Sequence, residues 1–338
     1  LARAWEIDPT ATNLPSLLAE AHYRADDFAA AARYFRLVNR TAKAAKLDAL
    51  AAAPYVLERP EATVVLPWIR DEPVAVVEVA INGSPANLVV DTGAGELILD
   101  TEFAGSNGVG FGGAEEGWFA GGRSAVVRHG RLDALRLGEQ GIGNLPVELM
   151  ELTPLFAAHF PDPPIHGILG SVVLYHFLPT LDFSAHRLVL RPRRKREVAG
   201  VGAEAPGAPC WLAGDHFILV ETRVNRLHRT LMALDTGMSG AELAVPVSTL
   251  RLAGLATTAA RPEQGQGGGG AVPALPVMAD SLAIEGLSRQ GVKGMLLPGF
   301  PIEHQFGFRV GGLLARDFLR ASTVTLDFAR MRLQVTAH

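Results

Sequence analysis

Two hydrophobic periods divide the chain. In LPSLLAEAHYRADDFAAAARYFRLVNR, from Leu14 to Arg40, apolar residues recur at spacings of three and four: Leu18 and Ala21, then Phe28, Ala31, Ala32 and Phe35. That spacing lays an apolar stripe along a helical face. The break at Ala25-Asp26-Asp27 predicts two helices, with Asp26 or Asp27 capping the second by accepting from its free N–H groups. TAKAAKLDALAAAPYVLE, from Thr41, predicts a further helix. From Glu61 the period shortens. Val64 to Leu66 and Val74 to Ile81 are β-branched runs, and Asn82-Gly83 follows directly, which predicts strand, turn and strand. The pattern continues to Leu190 with one short helix candidate, Glu151 to His159, and resumes from Leu212 to the C-terminus.

The expected organisation is mainly β: a helical segment over 1–60, a β lobe over 61–190, a connection over 191–211 and a second β lobe over 212–338. The connection, RPRRKREVAGVGAEAPGAP and the two residues after it, owes its assignment to charge, Gly, Ala and Pro. Its basic run, Arg191 to Glu197, reads as a solvated connector. With 338 residues, 48% hydrophobic and 20% charged, the chain can bury two substantial cores. No apolar run approaches the roughly 18 residues of a membrane span, and the formal charge of -4 gives no reason to expect a nucleic-acid partner. Cys210 is the single cysteine, which excludes an intramolecular disulfide and a cysteine-rich metal site. The chain opens on Leu1, not Met, as a trimmed or processed product would.

The two β segments carry the same landmarks in the same order. Asp91-Thr92-Gly93 lies 76 residues before Gly167-Ile168-Leu169-Gly170, and Asp235-Thr236-Gly237 lies 77 before Gly312-Leu313-Leu314-Ala315. Asp182 and Asp327 each follow 15 residues after the first of those glycines. One Asp-Thr-Gly is an ordinary turn; two with matched partners indicate a duplicated lobe.

These motifs resemble those of aspartic peptidases, specifically the bacterial relatives of pepsin and retropepsin, over Glu61 to Leu333. The resemblance implies two pepsin/retropepsin-like lobes, catalytic Asp91 and Asp235, and an apolar-apolar-Gly turn supporting each acid. It implies no metal or cofactor, a peptide or protein substrate, and a bacterial periplasmic or secreted setting in preference to the cytoplasm. Two positions depart from the pattern: Met238 stands where Ala94 fits it, and Ala315 where Gly170 fits it. The helical segment resembles tetratricopeptide repeats through WEIDPTA and LLAEAHYRADDFAAAARYF, and such helices offer a protein partner a surface.

The chemistry follows from the residue types. Gly93 and Gly237 permit close backbone approach. Thr92 and Thr236 carry hydroxyls able to brace the opposite loop. If the lobes meet about a pseudo-twofold axis, neighbouring carboxyls cannot both ionise cheaply, so they share one proton. That state suits water activation for peptide hydrolysis. The resemblance also implies a hairpin covering the cleft, and VGFGGAEEGWFAGGRSAVV, from Val109 to Val127, fits it by its position between the Asp-Thr-Gly and Gly-Ile-Leu-Gly landmarks. Trp118 and Phe119 are its substrate-binding candidates, with packing into their own lobe as the other reading. The matching glycine-rich stretch, RPEQGQGGGGAVPALPV, is expected to be a mobile loop. His166 reads as a supporting or surface residue, and Asp182 and Asp327 as structural. Three function classes stay open: an endopeptidase, an inactive peptide-binding protein on the same lobes, and a scaffold whose helices bind a partner.

Overall fold

The computed structural model describes residues 1–8, 13–50, 54–119, 124–157, 160, 162–193, 206–225, 228–258, 262–267 and 270–338. Four helices, α1 (Ala2–Ile7), α2 (Leu14–Arg24), α3 (Phe28–Leu37) and α4 (Thr41–Leu50), precede a mainly β body. Asp27 caps α3, accepting from Ala30 N at 3.2 Å. Asp26 instead takes a left-handed φ of 60° and meets His176 Nε2 at 3.1 Å. The apolar stripe is spent inward: Phe28, Ala31, Ala32, Phe35 and Leu47 belong to the same buried core as Leu88, Leu97 and Leu132 of the first lobe.

In the first lobe, Val76–Ile81 and Ser84–Val90 form a hairpin across Asn82 and Gly83, whose φ values of 47° and 90° suit a primed turn. Ser84–Val90 then runs parallel to Gly167–Leu169, pairing Val89 with Ile168, while Leu97–Asp100 runs antiparallel to the other edge of that short strand, pairing Leu97 with Leu169. The second lobe repeats the arrangement. His228–Asp235 is parallel to Val310–Ala315, and Leu243–Val245 is antiparallel to it. In both lobes the strand delivering the Asp-Thr-Gly loop and the strand leaving it flank one central strand. The loop ends are therefore fixed by backbone hydrogen bonds on both sides.

The lobes join through a layer of strands ordered Val64–Arg70, Arg187–Pro192, Phe177–Asp182, Ser322–Asp327, Arg332–Ala337 and Ala208–Ala213. Leu181 pairs with Val324 at its centre, and the hydroxyls of Thr180 and Thr325 meet at 2.7 Å. Equivalent residues of the two lobes thus face one another, as a pseudo-twofold relation requires. The anticipated connection begins and ends in strand, at Arg191–Pro192 and Ala208–Trp211; 194–205 lie outside the described residues. The short helix is Thr153–Phe156, with 158 and 159 outside the described set.

Two expectations are corrected: Val56–Leu57, expected within the helical segment, is a short strand paired with Gly143 and Ile142 of the first lobe, because Pro54 cannot continue a helix. Glu263–Gly267 is not a loop but a strand, paired with the start of Gly270–Ile284 from Glu263↔Ala274 to Gly267↔Gly270. Ladder hydrogen bonds use backbone groups that glycine supplies as well as any residue, and Val272 and Ala274 on the partner strand carry the side chains. Among the described residues no helix is long and apolar enough to cross a membrane.

Candidate active site

Each Asp-Thr-Gly loop reaches into the other lobe. Thr92 Oγ1 donates to Leu234 O at 2.9 Å and accepts from Thr236 N at 3.1 Å. Thr236 Oγ1 donates to Val90 O at 3.0 Å and accepts from Thr92 N at 3.0 Å. Both threonines are fully buried, so four reciprocal bonds, shielded from water, tie the loops together. The glycines explain how closely they approach. A Cβ on Gly93 would lie 2.6 Å from Asp235 Oδ1, and one on Gly237 would lie 2.4 Å from Asp91 Cγ. Any side chain there collides with the opposite carboxyl.

The geometry therefore brings together Asp91, Thr92, Gly93, Asp235, Thr236 and Gly237. Gly93 N donates to Asp91 Oδ1 at 2.7 Å, and Gly237 N stands 3.1 Å from Oδ1 of both Asp91 and Asp235. One amide thus addresses both carboxyls. Burial raises the affinity of Asp91 for its proton, and the N–H groups of Gly93 and Gly237 oppose this only in part. Burial also raises Asp235, and the neighbouring Asp91 raises it further.

The two departures from the motif are accommodated. Met238 O accepts from Arg316 N at 3.1 Å, as Ala94 O accepts from Ser171 N at 2.9 Å. At Gly170 an added Cβ would stand 2.1 Å from Glu96 O. Its counterpart Ala315 is fully buried in the second lobe and donates its N–H to Glu242 O at 3.1 Å. The second loop leaves the space for a methyl that the first does not.

Gly110–Trp118 and Ser124–Leu137 form the anticipated hairpin, from Gly110↔Arg131 to Trp118↔Ser124. The Trp118 side chain lies outside the described residues. Phe119 packs with Ile98, Val127, Met150 and Leu152 of its own lobe, in a cluster that also takes in Ala94 beside Asp91. Helix α4 rests on this hairpin, and a Cβ on Gly113 would touch the Ala42 methyl at 3.1 Å.

Two features were missed by sequence reasoning. The first is an ionic seam behind the Asp91 loop. Lys43 Nζ lies 3.2 Å from Glu96 Oε1 and 3.7 Å from Glu20 Oε1, Lys46 Nζ lies 3.8 Å from both Glu96 Oε2 and Glu148 Oε1, and Tyr23 OH donates to Glu96 Oε2 at 2.6 Å. Burial would raise Glu96, but Lys46 and Lys43 outweigh it and hold this carboxyl low; Glu148 is raised by burial and by Glu96. Lys43 and Lys46 lie on the buried face of α4 with Ala44, Leu47 and Leu50.

The second is His216, on the turn after Ala208–Ala213. A Cβ on Gly95, four residues past Asp91, would lie 3.2 Å from both Cβ and Nδ1 of His216. His216 precedes Asp235 by the same 19 residues that separate Glu72 from Asp91. Both turns reach across the lobes, since Glu72 pairs with Arg316 at 3.4 Å. His166 accepts at Nδ1 from Asn87 N at 3.0 Å. Asp182 and Asp327 each bind turn amides and an arginine, Arg187 at 3.0 Å and Arg330 at 3.0 Å. Among the described residues no group of three or more His, Cys, Asp or Glu side chains could hold a metal ion.

A family model described as aspartyl protease matches residues 77–173 and 220–318, one Asp-Thr-Gly in each region. Among curated proteins no match is found.

Proposed function

Since the chain belongs to the aspartyl protease family, we propose that it is an endopeptidase in which Asp91 and Asp235 activate a water between them. The observation that supports this most is the reciprocal contact of the two loops, each glycine against the other lobe's carboxyl. Two half-buried acids this close hold one proton between them, and their titration belongs to the pair. One arrangement of that proton puts it on Asp235, the carboxyl that burial and the neighbouring Asp91 both raise; since the titration belongs to the pair, the two acids can exchange roles. Ionised Asp91 takes a proton from water, whose oxygen attacks the scissile carbonyl carbon, while Asp235 gives its proton to the carbonyl oxygen. A tetrahedral diol forms. Asp91 then passes its proton to the amide nitrogen, Asp235 regains one from a diol hydroxyl, and the C–N bond breaks. No acyl-enzyme is needed.

A second reading, peptide binding without turnover, draws on Met238, a half-buried residue three positions past Asp235. Any protein partner of the helices must use their outer surface, because the apolar faces are buried against the first lobe. A peptide library incubated with the chain separates the readings. Cleavage by the parent that is lost in both Asp91→Asn and Asp235→Asn, with unchanged melting, supports the endopeptidase. Saturable binding of library peptides without cleavage supports the binding protein.

A further inference from the structure

The turn carrying His216 is held from three sides. Asp215 Oδ1 is 2.7 Å from His216 Nδ1. The Phe217 ring lies against the imidazole at a centroid distance of 4.0 Å. From helix α2, Arg24 donates to Gly214 O, so the helical segment grips the second lobe at this turn. The fourth neighbour is Gly95, where the lack of a side chain lets the imidazole press on the loop that follows Asp91. His216 Nε2 is buried and makes no hydrogen bond to any described residue. A ring held at one nitrogen, packed at a tilt against Phe217 and buried at the other nitrogen does not serve as a surface contact.

We propose that His216 is a positioning residue for the carboxyl pair: oriented by Asp215 on a turn that Arg24 of α2 holds, its imidazole sits against the loop that follows Asp91 and, when protonated, sets the pH window in which Asp91 and Asp235 share one proton. This rests on the reading of those two aspartates given above. The charged groups acting on the ring are Asp215 on its own turn and Asp91 and Asp235 on the two loops, while Glu20 and Lys43 on the helices act on Asp215 and Arg24 holds Gly214 O. Burial disfavours the imidazolium, but Asp215, Asp91 and Asp235 outweigh burial and raise His216 above the ordinary histidine range. Reciprocally, His216 opposes the upward shift that burial imposes on both aspartates. The sign is fixed by charge: a neighbouring cation favours each carboxylate, so both proton losses occur at lower pH with His216 charged than without it. The ordering role of the helices follows too, because Arg24 fixes the turn on which the charge rides.

The test is a titration that does not depend on turnover. Carboxyl ¹³C shifts of Asp91 and Asp235, assigned with the two single Asn variants, are followed against pH in the parent, His216→Gln and Asp215→Asn. Both carboxyls are expected to titrate about one pH unit higher in His216→Gln, and by a smaller amount in Asp215→Asn. By reciprocity, the His216 ring in otherwise parental protein titrates lower once Asp91→Asn is introduced, which tests the coupling even where His216→Gln fails to fold. Where peptide is cleaved, both limbs of the kcat/KM profile move upward with the carboxyls. Unchanged carboxyl titration in folded His216→Gln, or a His216 titration indifferent to Asp91→Asn, overturns the proposal. Coupled titrations without any cleavage leave His216 in its role and remove the endopeptidase reading instead; cleavage with uncoupled titrations does the reverse.

Discussion

Thr92→Val isolates the bonds that hold the two loops together. Valine fills nearly the same volume as threonine, so the cavity contribution is small. The hydroxyl, however, is both the donor to Leu234 O at 2.9 Å and the acceptor of Thr236 N at 3.1 Å. Its removal leaves two buried backbone groups unsatisfied, each costing about 1–3 kcal/mol. The hydroxyl's own desolvation cost disappears, so the expected loss is about 2–4 kcal/mol. That is a large share of the ~5–15 kcal/mol available to a folded domain but does not exhaust it. Thr92→Ser keeps both bonds and loses one methyl, for an expected cost of about 1 kcal/mol. Urea unfolding of parent, Thr92→Val, Thr92→Ser and Thr236→Val gives the four stabilities. Thr236→Val should cost about as much as Thr92→Val, since its hydroxyl holds the mirror-image pair of bonds to Val90 O and Thr92 N. The double valine variant should cost less than the sum, because both hydroxyls belong to one reciprocal network. A Thr92→Val midpoint equal to the parent's, at the same m-value, refutes the claim that these bonds tie the loops.

Three further outcomes follow from the same geometry. Gly237→Ala places a methyl 2.4 Å from Asp91 Cγ, which displaces that carboxyl; peptide turnover should fall by about 100-fold or more, while circular dichroism stays that of the parent. Lys43→Met leaves Glu20 and Glu96 without their shared buried cation and should cost about 3–5 kcal/mol in denaturant unfolding. Glu96→Gln tests the linkage. Burial raises the Glu96 carboxyl but Lys46 and Lys43 depress it further, so its contribution is full above the ordinary carboxylate range and is lost as pH falls through the depressed value. The stability difference between parent and Glu96→Gln should therefore be greatest at neutral pH and narrow in acid.

What could be seen in the sequence was whatever repeats or alternates. The paired Asp-Thr-Gly motifs and their matched spacings located both loops, and the Asn82-Gly83 turn and the capping Asp27 were legible because local chemistry dictates them. What escaped was set by contacts between distant segments. His216 owes its place to Gly95 in the other lobe and to Arg24 in α2, and no local pattern announces either. Lys43 and Lys46 look like solvated residues of an alanine-rich helix, yet they are buried because Glu20, Glu96 and Glu148 meet them there. The glycine-rich stretch misled because composition reports backbone freedom, whereas a waiting strand edge at Gly270–Ile284 supplies the order.

The central claim is that Asp91 and Asp235 act as one unit on a peptide bond. It is tested most directly by kcat/KM on a cleaved peptide for Asp91→Asn, Asp235→Asn and the double variant, each shown to melt as the parent does. Residues acting as a unit lose nearly everything with the first removal. Each single variant should fall by about 10⁴-fold, within the range expected for lost acid or base catalysis, and the double variant should fall little further. Either single variant within about tenfold of the parent, or a double variant whose loss is the product of the two single losses, would contradict the account.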